Sequence, residues 1–331
     1  MENALYILLS FVLTLIIFIP FINLLYKIKL SDPNPGSHRD IFGKSTPIFK
    51  KLRSATTGTP IGGGLLIVIL VSLLTLICFW GNLNIEIIAI LVTFVSFMLL
   101  GLFDDLKKTF HFKGGPFELR VRQKFVLEII ISSIISYWFV SRGIIHISIP
   151  GILTITNPIL LTALSAFGMT FMLNAFNITD GVDGLSGGTL VIGLIGVLAL
   201  ATFRNNDNVS IFTSLLLGSL VAYLYFNIHP SRLMMGDTGS LAFGSVFFLL
   251  FLLLDFAYLI PIFGFIYIIE ALSTLVQWFS RRFFNKKVFD AAPLHYHFEN
   301  RGWSQPKVTM RGYVLQSALV MLALGVAHLL S

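Results

Sequence analysis

Five aspartates, with asparagines and histidines beside them, stand in four short polar stretches of a largely apolar chain. Asp104 and Asp105 are adjacent in GLFDDLKK, and Asn174, Asn177, Asp180 and Asp183 recur at intervals of three in NAFNITDGVDGLSGG. Asn227 and Asp237 bracket NIHPSRLMMGD, and His295 and His297 lie two apart in PLHYHFENRGW. Adjacent carboxylates repel one another unless a cation or a proton relieves them, and the C-terminal end of a helix disfavours them further. The three-residue spacing puts Asn177, Asp180 and Asp183 on one face of any helical turn. Gly181, Gly184, Gly187 and Gly188 permit close backbone approach or positive φ. Asp237 begins DTGS, which also suits an ordinary helix cap. His-x-His is not a zinc spacing, and no cysteine supports it; hard oxygen donors from Asp and Asn favour Mg²⁺. Carboxylates that hold Mg²⁺, ringed by Lys and Arg, are the chemistry of a pyrophosphate site. Neither GxxxxGK[ST] nor GxGxxG occurs, which argues against a P-loop and against dinucleotide binding.

The elements that must carry these groups are apolar. Of 331 residues, 56% are hydrophobic and 12% charged, and the mean hydropathy of +0.86 exceeds that of soluble domains. About 20 apolar residues cross a bilayer core of roughly 30 Å. Ten runs qualify as candidates, at 4–26, 62–80, 86–103, 124–141, 158–177, 187–203, 211–227, 240–254, 258–279 and 313–330. They are continuous rather than alternating, so helices are expected and not a barrel. The fold class is an all-α integral membrane protein of about ten spans, one domain over 1–331. The break between the eighth and ninth runs, DFAY, is the faintest boundary. The first run has only Glu2 ahead of it and is too long for a signal-peptide core, so it reads as a retained span. Cys78, the single cysteine, is expected to be a buried, inert thiol.

With the N-terminus outside, 21 of the 23 Lys and Arg fall on one side of the membrane and only Arg142 and Arg204 on the other. The positive-inside rule makes the crowded side cytoplasmic, and all four polar stretches lie there. The basic stripe satisfies topology and also suits an anionic ligand at the membrane surface. No nucleic-acid partner is expected.

GLFDDLKK, NAFNITDGVDGLSGG, MGDTGSLAFG and PLHYHFENRGW resemble, in order and at similar spacing, the motifs of the polyprenyl-phosphate N-acetylhexosamine 1-phosphate transferases. Within that superfamily the last two look most like the phospho-N-acetylmuramoyl-pentapeptide transferases. The resemblance implies a ten-helix enzyme of the bacterial inner membrane with a cytoplasmic active site. Such an enzyme moves phospho-MurNAc-pentapeptide from its UDP carrier to undecaprenyl phosphate, releases UMP, requires Mg²⁺ and is expected to form a homodimer. By the same resemblance, Asp104 and Asp105 match a catalytic acidic pair, and Asp237 matches the Mg²⁺-holding aspartate, with Asn177 beside it. Asp183 and Gly181 match a nucleoside-binding turn, with Asn174, Asp180 and Asn227 as further substrate-binding positions. His295 and His297 match two members of a histidine triplet, and Lys107 and Lys124 match basic residues of the same cytoplasmic loop. The chain departs from the pattern at Tyr296, between the two histidines. It departs again at TPIGGG (59–64), at Thr56 and Arg53 ahead of it, and at Met234 before the metal aspartate. A sister enzyme moving GlcNAc-1-phosphate to the same lipid is the nearest alternative. A secondary transporter is the alternative of another class, with Glu270 in mid-span as its sign. The other acids gather at one membrane face rather than at the midplane, which favours an interfacial enzyme.

Overall fold

A computed structural model describes residues 2–31, 58–110 and 121–330; Arg53 and Thr56 lie outside the described residues. Where lipid supplies no hydrogen bonds, an apolar backbone satisfies itself as helix, and each apolar run is helical here. The helices are α1 Glu2–Ile28, α2 Gly63–Cys78, α3 Ile85–Phe110, α4 Val121–Ser141, α5 Pro158–Thr179, α6 Leu185–Phe203, α7 Asp207–Asn227 and α8 Asp237–Leu253. They continue as α9 Ile260–Phe263, α10 Phe265–Phe284, α11 Leu294–Asn300 and α12 Gln305–Leu330. Among the described residues seven helices are long and apolar enough to cross a membrane, and the stretch from Ala257 through α10, bent by 74° at Gly264, would make an eighth. The apolar α2 and α8 are shorter, at 16 and 17 residues.

The short α8 is the centre of the bundle. Every residue from Thr238 to Leu253 is buried, as expected of a helix that is apolar all round. It packs against α3, α5 and α2, while α7 joins α1, α2 and α6, and α12 lies along α6. At about 1.5 Å per residue α8 is roughly 26 Å long, and protein rather than lipid surrounds it. Its end at Leu253 and the positive φ of Asp255 (58°) resolve the faint DFAY boundary. Cys78 is exposed at the end of α2, so the expectation of a buried thiol is corrected; the last turn of α2, with Ile77 64% exposed, faces away from the bundle.

Glycines set how close the helices come to the start of α8. A Cβ on Gly64 of α2 would lie 2.1 Å from the Cα of Gly239, and one on Gly101 of α3 would lie 2.2 Å from the carbonyl oxygen of Asp237. Gly64→Ala is therefore expected to push α2 off α8 and cost about 1–3 kcal/mol as an overpacking change, read as a lower unfolding temperature in detergent. An unchanged temperature would mean that the helices part freely.

At one end of the bundle the chain turns through N-caps and a short hairpin. Asn157 accepts from Ile159 and Leu160 N–H, and Asn206 accepts from Val209 N–H. Strands β1 (Ser148–Ile149) and β2 (Leu153–Thr154) pair antiparallel between α4 and α5. The C-terminal ends of α3, α5 and α7 meet the N-terminal ends of α4, α6 and α8 at the other end, where the polar stretches converge.

Candidate active site

The first residues of α8 have no cap of their own: Gly236, at φ 80°, offers no side chain. Asp105 supplies it from α3. Its carboxylate accepts from Asp237 N–H (3.0 Å), Thr238 N–H (2.9 Å) and the Thr238 hydroxyl (2.6 Å), and it is 3% exposed. Gly236 is needed for this approach, because a Cβ there would lie 2.6 Å from Asp105 Oδ2. An anion at a helix N-terminus meets free N–H groups and the positive end of the dipole. Of the two adjacent acids, Asp105 is therefore committed to holding the backbone of Asp237.

Asp104 and Asp237 face a pair of ammonium groups. Lys108 Nζ lies 3.0 Å from Asp104 Oδ2 and 2.7 Å from Asp237 Oδ2, and Lys124 Nζ lies 3.1 Å and 2.5 Å from the same two atoms. Two lysines thus relieve the repulsion between two carboxylates. Asn177 donates through Nδ2 to Asp237 Oδ1 (2.9 Å) and to Ser240 Oγ (2.7 Å). One helical turn back, Asn174 donates to Glu128 Oε2 (2.7 Å) and to the Thr170 carbonyl (2.9 Å), so it is tied to the α4 interface. Lys107 is not brought into this cluster: its ammonium lies over the Phe103 ring at 4.3 Å. Lys107 and Lys108 lie three and four residues after Asp104, both within reach of its face, but Lys107 turns to Phe103, its own i,i+4 neighbour, while Lys108 turns to Asp104.

The turn between α5 and α6 is braced from several sides. Ser186 Oγ donates to Asp180 Oδ1, and Gly184 N–H donates to Asn227 Oδ1 (2.9 Å), whose Nδ2 donates in turn to the Leu233 carbonyl (2.9 Å). Asp183 Oδ2 accepts from Ser231 N–H (3.1 Å) and pairs with His229 Nδ1 (2.9 Å). From α12, Thr309 Oγ1 donates to the Asp183 carbonyl (3.0 Å) and the Tyr313 hydroxyl to the Gly184 carbonyl (2.7 Å). Asp183 and Asn227, expected at the substrate, here shape the turn and tie it to the loop before α8.

The histidines sit on the short helix α11, outside the apolar runs. His295 is fully buried, and both its backbone N–H (3.2 Å) and its Nδ1 (3.1 Å) meet Glu270 Oε2. Tyr296 directs its hydroxyl at the Gly181 carbonyl (3.4 Å). His297 accepts from Asp290 N–H (3.2 Å) and lies 3.5 Å from that residue's carboxylate, pinning the segment ahead of α11. His295 therefore joins the 180–188 turn, whereas His297 braces the loop. Glu270, which composition alone leaves open between a transporter acid and a structural one, is a paired acid.

Residues missed from sequence include Lys108, Thr238, Ser240 and the glycines Gly64 and Gly101. The i,i+4 relation of Asp104 to Lys108 was the available signal for the first. TPIGGG contributes backbone rather than side chains: Gly62 and Gly63 N–H donate to the Met234 carbonyl and Gly64 N–H to that of Met235 (3.2, 3.0 and 3.0 Å), bracing the loop into Asp237.

The sequence that builds this site is similar to those of known proteins. The family model described as glycosyl transferase family 4 matches residues 87–255, which include Asp104, Asp105, Asn177, Asp183 and Asp237. A phospho-N-acetylmuramoyl-pentapeptide-transferase of Clostridium acetobutylicum is 33% identical over 310 residues, 92% of each chain. Those of Caldicellulosiruptor bescii and Caldanaerobacter subterraneus are each 32% identical, the former over 99% of this chain and 98% of its own, the latter over 91% of both. These alignments take in most of the chain beyond the family-model match.

Proposed function

The chain belongs to glycosyl transferase family 4, and on that premise we propose that it transfers phospho-MurNAc-pentapeptide from UDP-MurNAc-pentapeptide to undecaprenyl phosphate, giving lipid I and UMP. It is a phospho-sugar transferase of peptidoglycan synthesis acting on a polyprenyl phosphate, and a multi-pass bacterial membrane protein. The finer reading includes ten spans in the inner membrane, a cytoplasmic site and Mg²⁺. The observation that carries it is the pairing of Asp104 and Asp237 with Lys108 and Lys124 at the end of the bundle where α3 and α4 meet the start of α8. A polyprenyl phosphate keeps its chain in lipid and its head at the interface, so a site at helix ends is where it can be met.

The acids suit Mg²⁺. Among the described residues no three His, Cys, Asp or Glu side chains form a metal set, but Mg²⁺ is usually held by one or two carboxylates plus substrate phosphates. Asp237 and Asp104 share the same two cationic partners, which marks a place that favours positive charge, and Asn177 stands beside them. These three would hold the ion, which when bound neutralises charge on the phosphates. The rest falls to the chain. A phosphomonoester has a second pKa near 6 and is largely dianionic at neutral pH. An oxygen of the lipid phosphate forms a bond to the sugar-bearing phosphorus of the UDP-sugar, and the bond from that phosphorus to the UMP oxygen breaks. Lys108 and Lys124 can turn from the carboxylates to the phosphate oxygens, lowering repulsion between the anions as UMP leaves. One phosphoanhydride replaces another, so no ATP is needed. The 180–188 turn holds the nucleotide.

The test is transfer by purified protein in detergent from radiolabelled UDP-MurNAc-pentapeptide to undecaprenyl phosphate, with and without Mg²⁺ and with UDP-GlcNAc in parallel. Mg²⁺-dependent lipid product and UMP from the muramoyl substrate alone are expected. Product from UDP-GlcNAc alone would move the chain to the sister group. In the same assay Tyr296→His is expected to keep the rate within about tenfold, because an imidazole N–H also reaches a carbonyl. Complete inactivation would show a site rebuilt around the phenol.

A further inference from the structure

Glu270 and His295 form a buried unit that phosphate exchange leaves unexplained. Glu270 lies in α10 and is 5% exposed; an acid within an apolar span is costly unless paired. Both contacts to its Oε2 come from one residue, the backbone N–H and Nδ1 of His295. A carboxylate oxygen accepts only, so this clamp fixes Nδ1 as the protonated nitrogen of the neutral ring and leaves Nε2 as the free one.

That free nitrogen is the second observation. His295 Nε2 is buried with no hydrogen-bond partner, which is uncommon for a buried polar atom. It is aimed at the turn: a Cβ on Gly181 would lie 2.4 Å from it and 3.0 Å from the Tyr296 hydroxyl. Gly181 thus leaves room for the imidazole to reach the segment read above as the nucleotide site. His295, whose backbone N–H and Nδ1 both meet one carboxylate oxygen, has its other ring nitrogen unmet on the turn side.

We propose that Glu270 is a positioning residue of the UDP-sugar site: it holds His295 with Nδ1 protonated, so that Nε2 accepts a hydrogen bond from the bound nucleoside, through an N–H of the base or a ribose hydroxyl. This rests on the reading of the 180–188 turn as nucleotide-binding. Glu270 touches no substrate and acts through His295.

The first test is kinetic. In full-length protein in detergent, Glu270→Leu removes the acceptor at similar size and is expected to raise KM for the UDP-sugar about 10-fold or more with kcat changed less, the mark of lost ground-state binding. Glu270→Gln, whose Oε1 still accepts both bonds, restores most of that loss. Adding Glu270→Leu to His295→Ala changes nothing further, since the two act as one unit. An unchanged KM in Glu270→Leu, or a full additional loss in the double variant, overturns the proposal. The second test needs no catalysis and covers a Leu variant that does not fold. In ¹⁵N-histidine-labelled protein, the His295 signals, identified by their loss in His295→Ala, should show protonated Nδ1 and bare Nε2; the opposite tautomer overturns the proposal. Should the wild type transfer nothing from any UDP-sugar, the proposed function fails, while the tautomer is still read separately.

Discussion

Asp237→Asn is expected to lower the transfer rate by about 10³-fold or more, at the upper end of what loss of one charge-stabilising group costs, while the helical signal and unfolding temperature stay close to wild type. The separation follows from the division of labour at the start of α8. The side chain of Asp237 faces Lys108, Lys124 and Asn177, whereas its backbone N–H is held by Asp105. An isosteric amide leaves that cap intact, and the lysines keep Asp104 as partner. What disappears is the negative charge that would bind Mg²⁺. Rates with and without added Mg²⁺, beside a melting curve, check both halves; near-normal turnover would sink the metal assignment.

Its neighbour in the site should behave differently. Asp105→Ala removes the acceptor of two backbone N–H groups and one hydroxyl, the two on Thr238 buried. Loss of a charged cap, with buried donors left unmet, costs about 2–4 kcal/mol, and activity falls with it because Asp237 loses its backbone anchor. The expected signature is a lowered unfolding temperature together with a lowered rate. A stable but inactive Asp105→Ala protein would instead put Asp105 in direct contact with the reacting groups. Asp105 and Asp237, which meet at one helix start, are thus separable by stability alone.

The sequence made the helices and the gathering of acids plain, because hydropathy runs and the positive-inside bias are long-range averages that single residues barely disturb. It did not reveal which member of each pair does what. Asp104 and Asp105 look alike in GLFDDLKK until a third segment, Gly236–Thr238, comes up against one of them. Lys107 and Lys108 are told apart only by helical phase, and the position of Phe103 one turn back settles it. His297 and Asp183 carry functional residue types, yet each accepts from a backbone N–H, that of nearby Asp290 for His297 and that of the distant Ser231 for Asp183. Glycines such as Gly64 and Gly101 are silent in sequence because their role is the absence of a side chain between two helices.

The hydrogen bonds from Thr309 and Tyr313 to the turn at Asp183 and Gly184 bear on how the protein is made. The turn emerges from the ribosome more than a hundred residues before the helix that fastens it. Until residues 305–330 have been synthesised and inserted, the carbonyls of Asp183 and Gly184 lack those two partners, and Gly188 lacks the Tyr313 ring that lies against it. A nascent chain halted after α10 would carry every acid of the cluster and still lack these two fastenings, so insertion of α12 is the step that secures the turn.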